Sequence, residues 1–212
     1  MADRAGKFIT LEGGEGAGKS THIRMLAERL RARGIDALTT REPGGSDGAE
    51  LIRKLLVEGP PEAWDGATEA LLMFAARRDH LVRTVWPALA RGNWVISDRF
   101  ADSTRAYQGA GHGFDLEKIE ALYSLAVGDF KPDLTLVLDL PVEVGLARTH
   151  SRPGAENRYE RLGPAFHQRV RDGFHRIAAA EPARCVLIDA DAPVEVVEER
   201  IWQALTQRLG LV

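Results

Sequence analysis

ITLEGGEGAGKSTHIRML, Ile9–Leu26, decides how the rest of the chain is read. A short apolar run that reads as a buried strand stops at Gly13. Ile23, Leu26, Ala27 and Leu30 then recur at helical spacing, and Gly34 ends that helix. Between strand and helix, Gly13, Gly18, Lys19 and Ser20 satisfy G-x-x-x-x-G-K-[ST]. Glycines let the backbone close on phosphates and turn its N–H groups inward, and the helix N-terminus adds positive potential. Gly13, Gly14, Glu15, Gly16, Ala17, Gly18, Lys19, Ser20 and Thr21 are therefore the candidate contacts for a nucleoside triphosphate. Lys19 is expected at the β- and γ-phosphates, and Ser20 at Mg²⁺.

Outward from this stretch, strand-like and helix-period segments alternate, the pattern of parallel strands joined by crossover helices. Strands are expected at Lys7–Glu12, in DALTT, at Asn93–Asp98, at Asp133–Leu140 and in CVLIDA. Two or three helices are expected between Ala49 and Arg91, and others around Leu116–Ala126, at Ala165–Ala180 and from Val194. The expectation is an α/β, P-loop NTPase three-layer fold: a five-stranded parallel sheet with helices on both faces. No linker divides residues 1–212, so a single domain is expected, with an arginine-rich lid at about 149–164 where the sequence turns polar and contains Gly and Pro.

Hydrophobic residues make up 44% of the chain and charged residues 28%, enough for a core and too polar for disorder. A net charge of −3 argues against a general nucleic-acid binder. Cys185 is the only cysteine, which rules out an internal disulfide. Nothing resembles a signal peptide or an apolar span of about 20 residues, so no membrane association and a cytoplasmic location are expected.

Asp98 closes the apolar run WVIS and is the candidate second metal carboxylate, at the carboxyl end of a strand where ligands of parallel sheets bind. Three stretches bear on an acceptor. REPGG places Arg41 after the second strand, with a guanidinium fork matched to phosphate oxygens. In DRFADSTRAYQG, Arg99 follows a buried strand, and Thr104, Tyr107 and Gln108 stand at i, i+3 and i+4. In FAARR, Phe74 and Arg78 lie one turn apart, a ring and a guanidinium able to meet a flat base.

EGGEGAGKST, TREPGG, LLMFAARRDHL, SDRFADSTRAYQG and FHQRVRDGF together resemble the bacterial thymidylate kinases, over essentially the whole chain. TREPGG and the DRF-to-AYQG stretch are the specific part, since other nucleoside monophosphate kinases share only the phosphate motif. The resemblance implies transfer of the γ-phosphoryl group of ATP to dTMP, with Mg²⁺, in a homodimer. It implies that Phe74 stacks on thymine and Arg78 bonds its edge. Thr104 and Gln108 lie near the base, Tyr107 near the sugar, and Glu15 beside sugar and phosphate. Arg99, with Arg41, holds the acceptor phosphate, and Pro43 and Ser103 also belong to the acceptor site.

Some members of the family carry a catalytic arginine within the phosphate motif; here EGAG has none. RTHSRPGAENRYER supplies Arg148, Arg152, Arg158 and Arg161 instead. By resemblance Arg152 is the catalytic lid residue, Arg158 the next match, and Arg148 packs on adenine opposite Ala192 and Pro193. Asn157 stands where the family commonly has Asp, Phe100 where it has Tyr, Ser46 where it has Thr, and Gly14 where it often has an apolar residue.

Two other functions compete. One is a kinase for another nucleoside monophosphate or a deoxynucleoside; of these, Arg99 and Arg41 favour an acceptor already carrying phosphate. The other is a GTP-dependent switch, which would need an Asn-Lys-x-Asp segment that this chain lacks.

Overall fold

The computed structural model describes residues 6–60, 62–150 and 158–211. Five strands form one all-parallel sheet: β1 (Phe8–Gly13), β2 (Ala37–Arg41), β3 (Trp94–Asp98), β4 (Leu134–Asp139) and β5 (Cys185–Asp189), in the order β2-β3-β1-β4-β5. The expected sheet is present, its strand ends shifted by about a residue. Helices α1 (Lys19–Arg31), α2 (Asp47–Val57), α3 (Gly66–His80), α4 (Trp86–Ala90), α5 (Ala101–Thr104), α6 (Leu116–Ala126), α7 (Val142–His150), α8 (Pro164–Ala180) and α9 (Val194–Leu209) connect and cover it.

Alternation along each strand assigns the two faces. Ile9, Leu11, Ile96, Leu134, Leu136 and Leu138 pack with α1 and α9 through Leu26, Leu30, Ile201 and Leu205. Phe8 and Val95, from the intervening positions, pack instead with Phe74, Leu81, Val85, Leu89 and Phe100. Val137 meets Tyr107, Phe166, Val170 and Phe174, which brings α8 over the second face.

Two π-helical turns depart from the expected regular helices. Leu81–Val85 joins α3 to α4, and Arg105–Gly111 continues α5. The second is marked by His112 N donating to Tyr107 O at 2.9 Å, an i to i−5 bond. Such turns are frequent at functional sites, and this one runs beside the large cavity described below. Among the described residues, no helix is long and apolar enough to cross a membrane.

Candidate active site

β1 ends in the phosphate cradle because glycine alone fits its backbone. At Gly16 φ is +70°, and a Cβ would sit 2.1 Å from the carbonyl oxygen of Gly145 on α7. Gly18 opens α1 in the left-handed region with no side-chain cap, so the first N–H groups of the helix remain available to an anion. Lys19 Nζ folds back onto the carbonyls of Gly13 at 3.2 Å and Gly14 at 2.8 Å. Burial, with the charge of Arg99 adding to it, pushes the Lys19 pKa down to about 8. Glu15, Gly16, Ala17, Gly18, Lys19, Ser20 and Thr21 line the cavity, whereas Gly13 and Gly14 border a smaller pocket with Asp139 and Arg171. Ser20 Oγ donates to Asp98 Oδ2 at 2.9 Å, joining two oxygen donors of the type Mg²⁺ takes at the cradle's edge.

The cavity beside the cradle measures about 390 Å³. Arg99 is its central cation. It follows β3 at φ +72°, the one described non-glycine residue with positive φ, and this geometry turns its side chain back under the cradle. Arg99 Nη1 donates to Gly13 O at 3.0 Å and Ser103 Oγ at 3.1 Å; Nη2 donates to Glu15 Oε1 at 3.0 Å and Tyr107 OH at 2.9 Å. Burial alone would raise the Glu15 pKa, but Arg99, Lys19 and the Tyr107 hydroxyl more than offset it, leaving the carboxyl below its usual range. Arg41, Pro43, Ser103 and Thr104 also line the cavity, with Arg41 paired to Glu50 at 3.0 Å.

Arg53 was not singled out in the sequence. It lines the same cavity from α2 and donates to Pro43 O at 2.7 Å. The available signal is its position six residues after the helix-opening Asp47, in the second turn of the helix that follows TREPGG.

At the far end the residues that line the cavity stand one position before the pair the sequence suggested for a base. Met73 and Arg77 line the cavity; Phe74 and Arg78 do not. Consecutive helical residues point about 100° apart, so the pair four residues apart that faces the cavity is the one beginning at Met73. Phe74 packs in the core, edge-on to Tyr123 with ring centroids 6.4 Å apart. Arg78 donates to Ala126 O at 3.1 Å and lies over Trp86. Arg77, by contrast, is 2% exposed, lies 4.7 Å over the Phe74 ring, and is held by Glu42 (Nε to Oε2, 2.7 Å) and Thr104 (Nη2 to Oγ1, 3.1 Å). Its Nη1 has no hydrogen-bond partner among the described residues, and neither has Oε1 of the buried Gln108.

Arg152 and Asn157 lie outside the described residues. Arg158 does not line the cavity. It is 1% exposed, its Nη2 pairs with Glu69, its Nη1 donates to Leu56 O at 3.0 Å, and its backbone N–H bonds Val57 O. Its guanidinium is bonded to α2 and α3 in the interior. Arg148 is half-buried on α7, Ala192 packs against the core and Pro193 precedes α9; none of the three lines the cavity.

The thymidylate kinase family model matches residues 11–201. A thymidylate kinase of Caulobacter vibrioides is 58% identical over 206 residues, 97% of this chain and 99% of that one. One from Rhodopseudomonas palustris is 56% identical over 207 residues, covering 96% and 90%. The crystal structure of thymidylate kinase from Ehrlichia chaffeensis matches with a TM-score of 0.75 at 35% identity, covering 94% of this chain and 98% of that one.

Proposed function

The chain belongs to the thymidylate kinase family of ATP-dependent nucleoside monophosphate kinases, and from that membership we propose how its residues carry the γ-phosphoryl group of ATP to dTMP. The triphosphate lies on the cradle, with Lys19 leaving the Gly13 and Gly14 carbonyls for its phosphate oxygens. Ser20 and Asp98 hold Mg²⁺, which neutralises phosphate charge when bound. In the adjoining cavity Arg99, with Arg41 and Arg53, holds the acceptor phosphate. Tyr107 and Glu15 border the sugar. The thymine ring lies against Met73, with Arg77 Nη1 donating to the ring carbonyl and Gln108 Oε1 accepting from the neighbouring ring N–H.

An acceptor phosphate oxygen attacks the γ-phosphorus in line; the bond from that phosphorus to the β-bridging oxygen breaks, giving dTDP and ADP. Phosphate dianion is the main form above its second pKa of about 6, so no base has to remove a proton from the nucleophile. Arg152 supplies positive charge to the group in transfer, since the cradle's own EGAG has none. The observation that carries the reading is that one cavity joins the phosphate cradle to a buried cation at one end and two unpartnered, base-sized hydrogen-bonding groups at the other.

Exposed Leu51 and Leu55 on α2, Leu71 on α3 and Leu125 on α6 support a homodimer, to be checked by light scattering of the eluting protein. Cys185, a buried thiol whose pKa burial raises to about 12, fits a cytoplasmic setting. ADP release with ATP and each of dTMP, dUMP, dCMP, dGMP and thymidine tests the assignment. Fastest turnover of dTMP is expected; preference for thymidine or a purine nucleotide refutes it.

A further inference from the structure

Glu69 lies on α3 one turn before Met73 and is wholly buried. Its Oε2 accepts Gln108 Nε2 at 2.8 Å and the Tyr159 hydroxyl at 3.0 Å, its Oε1 pairs with Arg158, and His112 Nε2 lies 3.5 Å away. The Gln108 amide, the Tyr159 hydroxyl and the Arg158 guanidinium all donate. A carboxylate in such a setting accepts, so the Gln108 amide must turn its NH₂ group toward Glu69 and its oxygen the other way. That oxygen is the buried, unpartnered Oε1 of a residue lining the cavity. Glu42 treats Arg77 in the same manner: with Nε on Glu42 and Nη2 on Thr104, only Nη1 remains.

We infer that Glu69 is a positioning residue for base selection, which fixes the Gln108 amide so that the cavity presents an acceptor beside the Arg77 donor. This rests on the reading of the cavity as the dTMP site. A donor next to an acceptor complements a ring carbonyl next to a ring N–H, the edge of thymine and uracil. Cytosine carries an amino group and a bare nitrogen at those positions. It would set donor against donor and acceptor against acceptor in a buried place where neither can turn to water. With the amide free to rotate, half of that discrimination disappears. Glu69 does not touch the base; it acts through Gln108. Arg158 and Tyr159 bond the same carboxylate and so help hold the amide's support in place.

The test measures kcat/KM for dTMP and dCMP in the wild type, in Glu69→Gln, in Gln108→Met and in the double variant. Glu69→Gln is expected to lower the dTMP-to-dCMP ratio about tenfold or more, the size of one misdirected buried hydrogen bond. Gln108→Met should lower it by at least as much. In the Gln108→Met background, Glu69→Gln should change absolute rates but leave the ratio alone. Equal losses on both acceptors, or a second fall of the ratio in the double variant, would overturn the inference. Wild-type turnover of dTMP tests the underlying reading separately. Should Glu69→Gln fail to fold, the wild-type crystal structure with dTMP decides. Gln108 bonded to both Glu69 and the ring N–H supports the inference, and Gln108 turned away from Glu69 refutes it.

Discussion

Arg99 Nη2 lies 3.0 Å from Glu15 Oε1, so the buried cation of the cavity is held by a carboxylate of the phosphate cradle. Arg99 holds this place in a backbone conformation that favours glycine. Arg99→Ala should lower kcat/KM for dTMP by about 10²-fold or more, through loss of a charged contact and an uncompensated Glu15. Arg99→Gly should lose as much activity. It should nevertheless be about 1 kcal/mol more stable than Arg99→Ala in urea unfolding, because only glycine takes φ +72° without strain.

Arg77 and Arg78 are adjacent in sequence and opposite in consequence. Arg77→Ala strands Glu42, 4% exposed, with only His80 beside it, and should cost about 3–5 kcal/mol of stability. It should also raise the KM for dTMP. Arg78→Ala should leave kcat and KM within about twofold and stability within about 0.5 kcal/mol, as a surface substitution does. Thermal melts and steady-state kinetics on the pair separate the two assignments.

Glu12 on β1 accepts from Phe100 N at 2.7 Å and Ser103 Oγ at 2.5 Å, both in the segment that follows Arg99. Burial, reinforced by the nearby Asp102 charge, raises its pKa to about 8. The folded state therefore binds a proton that the unfolded chain releases above its ordinary pKa of 4.5, and stability from this group falls as pH rises from there to about 8. Glu12→Gln removes that slope. Its melting temperature relative to wild type should be higher at pH 8.5 than at pH 5; a difference independent of pH would refute the argument.

Arg152→Ala should lower kcat about 10³-fold, with little change in KM for either substrate, the signature of charge supplied only at the transfer step. Arg31, exposed at the end of α1, is the control, and its alanine variant should behave as wild type. Equal, small effects from both would remove Arg152 from the reaction.

The strand-glycine-helix stretch at Ile9–Leu26 made the sheet and cradle legible, because strand, loop and helix each leave a periodic or steric mark in the sequence. Arg99, Tyr107 and Gln108 were legible through the spacing after Asp98. The facing of α3 was not. That helix buries Glu69, Arg77 and His80 alongside Ala70 and Phe74, so its apolar stripe is faint and FAARR points one residue past the pair that lines the cavity. Glu69, Met73, Arg77 and His80, spaced four, four and three apart, form a stripe that polarity alone disguises as a solvent face. Arg158 was illegible for a related reason: whether an arginine reaches a substrate or a buried carboxylate is decided by a partner 89 residues away.

At Gly16 and Gly145 the cradle and α7 touch main chain to main chain, without a side chain between them. Rotamers are what usually cushion a shift between neighbouring elements, and here there are none to flex. A methyl group at either position would therefore have to part the cradle from α7 bodily, so neither glycine tolerates even alanine unless the two elements move apart.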